Sequence, residues 1–78
     1  MKTNVTKMLR ARLAAARGEL FSPAQAAEFL GISARKAQKE AASGKLPATD
    51  VNGGVPPALW RVARADIEER IRKMEDEA

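Results

Sequence analysis

Arg35 and Gln38, followed by Lys39, are the side chains of this 78-residue chain best suited to specific chemistry. On a helix, residues three and four positions apart lie on the same face. An arginine guanidinium can form two hydrogen bonds with O6 and N7 of guanine, and a glutamine amide can do the same with N6 and N7 of adenine. The spacing therefore indicates a helix face that reads base edges, with Lys39 reaching a base or a phosphate.

Other polar groups near this face are suited to phosphate. Lys36 lies further round the helix and Lys45 lies beyond its end, so both are assigned to the nucleic-acid backbone. Ser33 can cap the helix while the helix N-terminus approaches a phosphate. The alternative interpretation is a basic face that is merely solvated.

Positive charge is concentrated in two blocks of the sequence. Residues 1–18 carry five basic and no acidic side chains, and residues 35–45 carry four basic side chains and one acid, within a chain of net charge +4. This distribution favours a polyanionic partner. The alternative is that the charge only keeps an alanine-rich chain soluble.

Groups that catalyse reactions or bind metals are scarce. The chain has no cysteine and no histidine, so thiolate ligands and the commonest general base are missing. Asp50, Asp66 and Glu68 are scattered, and a turn and a helix start explain them better than a site does. No apolar run is long enough for a transmembrane helix or resembles a signal peptide. We therefore expect no catalytic site, metal or cofactor, and a cytoplasmic, nucleoid-associated protein that does not bind membranes.

Two short helices must position the basic face. Ser22-Pro23-Ala24-Gln25 is typical of a helix start, and Gly31 ends that helix. Ser33 caps a second helix over residues 34–42, which Gly44 ends. Because only Gly-Ile-Ser joins them, the helices meet at a steep angle, as in a helix-turn-helix.

Short strands follow, over residues 49–51 and 59–62, joined by a long loop that contains Asn-Gly-Gly and Pro-Pro. Trp60 is predicted to anchor the core beneath this wing. Arg61 should point outward toward a phosphate, and Arg64 is a weaker candidate of the same kind. A last helix begins at about Ala65.

The N-terminal segment 4–17 has helical spacing. Its predicted apolar stripe consists of Val5, Met8, Leu9, Leu13 and Ala16. Arg12 projects into the middle of this stripe. Three roles stay open for the helix: folding back on the domain, association with a second copy, or contact with DNA. A membrane-surface role has less support because the stripe is short and has no aromatic anchor.

Five segments share their order and spacing with one known family: Ser22-Pro23-Ala24-Gln25-Ala26-Ala27-Glu28-Phe29-Leu30-Gly31-Ile32-Ser33, Ser43-Gly44-Lys45-Leu46-Pro47-Ala48, Gly53-Gly54, Trp60-Arg61-Val62 and Arg64-Ala65-Asp66-Ile67-Glu68. Over about two thirds of its length, the chain resembles the excisionase-type winged helix-turn-helix, a relative of MerR-type DNA-binding domains. The resemblance implies a second helix in the major groove and a wing at the neighbouring backbone or minor groove. Many members are phage or mobile-element excisionases, which bend attachment-site DNA and direct an integrase. Others are transcriptional regulators, and a similar domain occurs in phage terminase small subunits.

The sequence departs from the family at two places. Glu40 stands where the family has an apolar residue, and Ala37 and Ala41 replace larger ones. The wing has five uncharged residues between Gly54 and Trp60, where one or two are usual. A neutral wing and Glu40 would also suit a protein-interaction module that does not bind DNA.

The expected fold is mainly α with a small β-hairpin wing, a winged helix-turn-helix with an additional N-terminal helix. We expect a basic amphipathic helix over residues 1–18 and a DNA-binding domain over residues 19–76. The expected function is sequence-specific binding of double-stranded DNA by an excisionase-like directionality factor, with self-association on DNA and an integrase as further partners. A small winged-helix transcriptional regulator is the first alternative, followed by a phage terminase small subunit or an interaction module. The predicted DNA contacts are Ser33, Arg35, Lys36, Gln38, Lys39, Lys45, Arg61 and Arg64.

Overall fold

Short helices and strands follow one another along the chain. A computed structural model describes residues 2–77, with side chains from residue 5 onward. The elements are α1 (Lys2–Ala15), β1 (Leu20–Phe21), α2 (Pro23–Leu30), α3 (Ala34–Ser43), β2 (Thr49–Asp50), β3 (Trp60–Ala63) and α4 (Arg64–Asp76). This arrangement confirms the predicted fold class, a mainly helical protein with a small antiparallel sheet, consistent with a winged helix-turn-helix.

The sheet places β3 between the other two strands, in the order β1-β3-β2, with both pairings antiparallel. β2 and β3 form the predicted wing hairpin, in which Thr49 pairs with Arg61. β1 was not predicted, because two residues are too few to show an alternating pattern. Phe21 of β1 pairs with Val62, and both side chains are buried. The sheet thereby joins the wing to the core.

Local side-chain caps define the two central helices. The Ser22 hydroxyl accepts a hydrogen bond from the Gln25 amide (3.2 Å), and the Gln25 side chain accepts one from the Ser22 amide (2.9 Å). The Ser33 hydroxyl accepts from the Lys36 amide at 3.1 Å. Gly31 ends α2 with φ +69°, a left-handed conformation that suits glycine. These contacts confirm both predicted helix starts.

The buried face of α1 differs from the predicted stripe. Leu9 and Leu13 are 1% and 2% exposed and pack in the core, whereas Val5 and Met8 are 51% and 47% exposed. The buried face keeps Leu9, Leu13 and the partly buried Ala16 of the predicted stripe, and Thr6 is buried in place of Val5 and Met8. Arg12 consequently lies on the exposed side rather than within the packed face.

α1 packs against α4 and α2, so it folds back on the rest of the chain. The buried apolar cluster combines residues from every helix and from the sheet: Leu9, Leu13, Phe21, Ala26, Ala27, Phe29, Leu30, Ala37, Leu46, Val62, Ile67 and Ile71. Trp60 is absent from this cluster and is only half-buried, so its prediction as a core anchor was wrong. Val62, two residues further along the same face of β3, is fully buried in its place.

Candidate nucleic-acid interface

α3 buries one narrow side and exposes the other. It packs mainly on α2, and its buried side chains are Ala37, Glu40 and Ala41. Because two of these three side chains are alanines, the axis of α3 lies close to α2. The residues between them face solvent, since each helical position turns the side chain by about 100°.

The predicted base-reading residues all lie on this solvent-facing side. The side chains of Arg35, Gln38 and Lys39 are exposed. Within residues 2–77, none of the three forms a hydrogen bond or ion pair with another side chain. Their donors and acceptors are therefore available to a ligand.

The predicted phosphate contacts near α3 lie around this face. Ser33 and Lys36 are exposed at the N-terminus of the helix, and the Ser33 hydroxyl serves as its N-cap. Lys45 is exposed just beyond Gly44, which ends α3 with φ +85°. The following residue is fixed to the helix, because the Leu46 amide donates to the Glu40 carbonyl at 3.0 Å.

Glu40 is the only acidic residue of α3, and it points away from the exposed face. Its side chain is 7% exposed and lies 2.5 Å from Nη1 of Arg70 on α4. The hydrogen bond from Arg70 holds the pKa of Glu40 below its usual range, although burial alone would raise it. The positive charges of Arg70, Lys45 and Lys36 lower this pKa further. The exposed face of α3 is therefore wholly basic or neutral.

The two predicted contacts on and after β3 are less accessible. Arg61 is partly buried, and its guanidinium donates to the carbonyl of the preceding Trp60 at 2.7 Å. Arg61 lies in the wing strand, and among the described residues its side chain forms no hydrogen bond or ion pair with a residue of α3. A phosphate contact by Arg61 would require its guanidinium to turn away from Trp60.

Arg64 points into the fold rather than toward solvent. Its Nε donates to the Gly18 carbonyl (2.9 Å) and its Nη1 to the Leu13 carbonyl (2.7 Å), while Nη2 donates to the carbonyl of Ala16. The guanidinium also lies over the Phe21 ring, 5.3 Å from its centroid. Its donors thus fix the end of α1, and we leave Arg64 out of the proposed interface.

The wing loop, residues 51–59, is exposed throughout and carries no charged side chain. The Asp50 carboxylate organises it by accepting hydrogen bonds from the amides of Asn52 (2.9 Å), Leu59 (2.9 Å) and Gly54 (3.1 Å). These bonds, led by the one from Leu59, hold the pKa of Asp50 below its usual range. The Asn52 side chain also donates to the Pro57 carbonyl at 2.8 Å. The wing is therefore an internally bonded, neutral loop.

Sequence reasoning missed two residues of this arrangement. Asp50 was assigned to a turn, but its hydrogen bonds to the amides of the wing loop were not predicted. An aspartate two residues before Asn52 and ahead of two glycines is typical of such a hydrogen-bonded turn and could have indicated them. Arg70 had no sequence signal, because 30 positions separate it from Glu40.

Comparison with known proteins gives one match. The model of a family described as a helix-turn-helix domain matches residues 20–75, which include α2, α3 and the wing. No curated protein and no solved structure matches the chain. Among the described residues, no helix is long and apolar enough to cross a membrane, and no acidic side chains are grouped to hold a metal ion.

Proposed function

We infer the function from one premise: this chain belongs to the helix-turn-helix domain family, whose model matches most of its length. Helix-turn-helix domains bind double-stranded DNA by placing their second helix in the major groove. We propose that this protein does so with α3, and that it has no enzymatic activity.

The exposed face of α3 is the observation that carries the proposal. Arg35 would bind the O6 and N7 edge of a guanine and Gln38 the N6 and N7 edge of an adenine, with Lys39 reaching a base or a phosphate. The remaining contacts would go to phosphates: Ser33 with the N-terminus of α3, Lys36, Lys45 and, at the edge of the wing, Arg61. Direct base contacts supply sequence specificity, whereas the phosphate contacts supply affinity.

Within this class we propose an excisionase-like directionality factor that binds clustered attachment sites, bends the DNA and guides an integrase. The support is the resemblance of the segments from Leu20 to Ile71 to that family. Such a protein must bend its site, whereas a simple regulator need not. Electrophoretic mobility of complexes on permuted DNA fragments measures the bend, and a straight complex would contradict the directionality role.

DNA binding itself is tested with a duplex site selected from a random library, by fluorescence anisotropy over a range of salt concentrations. Three cations bound to phosphates, Lys36, Lys45 and Arg61, correspond to a slope of log affinity against log salt of about −3. The double variant Arg35→Ala/Gln38→Ala should lose roughly tenfold or more in affinity for the selected site, since each base contact contributes about 1–3 kcal/mol of discrimination.

Arg72→Ala is the matched control, because it removes an arginine that is 61% exposed on α4 and pairs with Glu69 of the same helix rather than with a residue of α3. Its affinity should stay close to that of the unmodified protein. If the double variant binds the selected site as tightly as this control does, α3 is not the reading helix. If the unmodified protein binds no duplex, the chain is an interaction module instead, which its neutral wing would suit.

A further inference from the structure

The buried ion pair between Glu40 and Arg70 lies directly behind the proposed DNA-binding face. We propose that Arg70 is a positioning residue for DNA binding: by occupying the Glu40 carboxylate, it leaves Lys36 and Lys45 free to bind phosphates. This inference rests on the function proposed above.

Glu40 carries a negative charge at a buried position, and Arg70 compensates that charge. Its carboxylate is nearly buried in the middle of α3, where a negative charge without a partner is strongly unfavourable. Among the described residues, the 2.5 Å hydrogen bond from Arg70 is its one side-chain partner. If Arg70 were absent, the carboxylate would draw the nearest available cations.

Lys36 and Lys45 are those cations. Lys36 precedes Glu40 by four residues, so the two side chains share one side of the helix. Lys45 lies beside the pair, because it lines the same surface cavity as Arg70 and because the Leu46 amide is bonded to the Glu40 carbonyl. Both lysines already contribute to the low pKa of Glu40. A lysine paired with Glu40 has its charge neutralised and is held against α3, so it contributes less to phosphate binding.

A purely structural role for the pair makes a different prediction. Arg70 connects α3 to α4, so losing it could simply loosen the recognition helix. Removing the charge of Glu40 as well would then leave the connection broken and DNA binding impaired. In our proposal, by contrast, neutralising Glu40 releases the lysines and restores binding.

The experiment compares Arg70→Met with the double variant Arg70→Met/Glu40→Gln on the selected duplex, over a range of salt concentrations. Arg70→Met should make the salt slope shallower by about 0.9 for each lysine withdrawn. The double variant should return to the slope of the unmodified protein. A single variant with an unchanged slope, or a double variant that stays impaired, would overturn the proposal.

Two further variants cover loss of folding in Arg70→Met. Arg70→Gln keeps a hydrogen-bond donor for Glu40 without the charge, and should show the same shallower slope if it is folded by circular dichroism. Glu40→Gln alone should keep the original slope, because the lysines are already free. A steeper slope in Glu40→Gln would show that Glu40 still holds a lysine in the unmodified protein, and would reject the proposal.

Acetylation of the free protein by acetic anhydride, followed by mass spectrometry, separates this inference from the proposed function. In folded Arg70→Met or Arg70→Gln, Lys36 or Lys45 should react more slowly than in the unmodified protein, because an ion pair keeps the amine protonated. Lys39 is the internal control and should not change. Unchanged reactivity of Lys36 and Lys45 would overturn the inference whether or not DNA is bound, whereas a failure to bind DNA with slowed labelling would reject only the proposed function.

Discussion

Arg61 and Arg64 show how three residues of separation can place two arginines in different environments. Arg61 contacts a single carbonyl of its own strand, whereas Arg64 contacts the carbonyl of Leu13 in the last turn of α1 and those of Ala16 and Gly18 just after it. Carbonyl groups at the end of a helix have no partner within the helix and carry partial negative charge. A cation placed there stabilises the C-terminal end of the helix. Arg64 therefore acts as a remote C-cap of α1, which ends at Ala15 and not at the predicted residue 17.

We expect Arg64→Met to lower the free energy of unfolding by about 2 kcal/mol, since hydrogen bonds from a charged group to partly buried carbonyls are lost. The methionine keeps most of the packing of the arginine stem. Urea denaturation followed by circular dichroism measures the change. Arg61→Met is the control and should change stability by no more than about 0.5 kcal/mol.

The same variant also tests where Arg64 acts. Under conditions in which it is fully folded, Arg64→Met should bind the selected duplex with unchanged affinity and salt slope. Unchanged stability combined with a shallower salt slope would instead identify Arg64 as a phosphate contact, as the sequence alone suggested.

At the level of the elements, the sequence was most informative where the determining contacts are local. The capped helix starts at Ser22 and Ser33 could be predicted because each cap bonds a residue three positions away. From those starts, 100° per residue was enough to place Arg35 and Gln38 on the outer face of α3. The central helix pair and the orientation of the candidate site were therefore predictable.

Features that depend on tertiary packing could not be predicted. Packing against α4 and α2 decides which side of α1 is buried, since the sequence has apolar side chains both on the side of Met8 and on the side of Leu9. Likewise, the apolar pattern of β3 does not distinguish which of Trp60 and Val62 is fully buried. The partner of Glu40 is Arg70, which is 30 positions away on another helix. The sequence therefore showed an unexpected acid at position 40 but not the arginine that pairs with it.

The wing should lose its order in acid. Because the folded state lowers the pKa of Asp50, the carboxylate stabilises the loop above its unfolded pKa of about 4, and this contribution is lost as pH falls through the lower, folded pKa. NMR titration of the Leu59 and Gly54 amides, which donate to Asp50, follows the transition. Both resonances should move together toward disordered positions as the carboxylate is protonated.

Asp50→Asn is the control for the wing titration. An asparagine keeps one oxygen acceptor but does not titrate, so the amides of Leu59 and Gly54 should show no transition in this pH range. An identical titration in this variant would place the responsible carboxylate elsewhere, and would contradict the role given to Asp50.

On the scale of the whole molecule, α1 belongs to the core although it lies outside the matched family segment. Its Leu9 and Leu13 are as buried as the core residues of α4. Leu9 also lies against the turn between α2 and α3, since its Cδ1 would be 3.6 Å from a Cβ added to Gly31. α1 thus supports the turn that sets the position of the recognition helix.

Leu9→Ala should therefore destabilise the whole protein by about 2–4 kcal/mol, as expected for a buried leucine that leaves a cavity. That is a large share of the roughly 4–12 kcal/mol available to a domain of this size. Met8→Ala is the matched control, because Met8 is 47% exposed on the adjacent side of the same helix, and its effect should stay within about 0.5 kcal/mol. Thermal unfolding at several protein concentrations distinguishes folding back from self-association. If Met8→Ala proved as damaging as Leu9→Ala, and the difference grew with concentration, the exposed side of α1 would be a contact between copies of the chain, and the helix would support an assembly as well as its own turn.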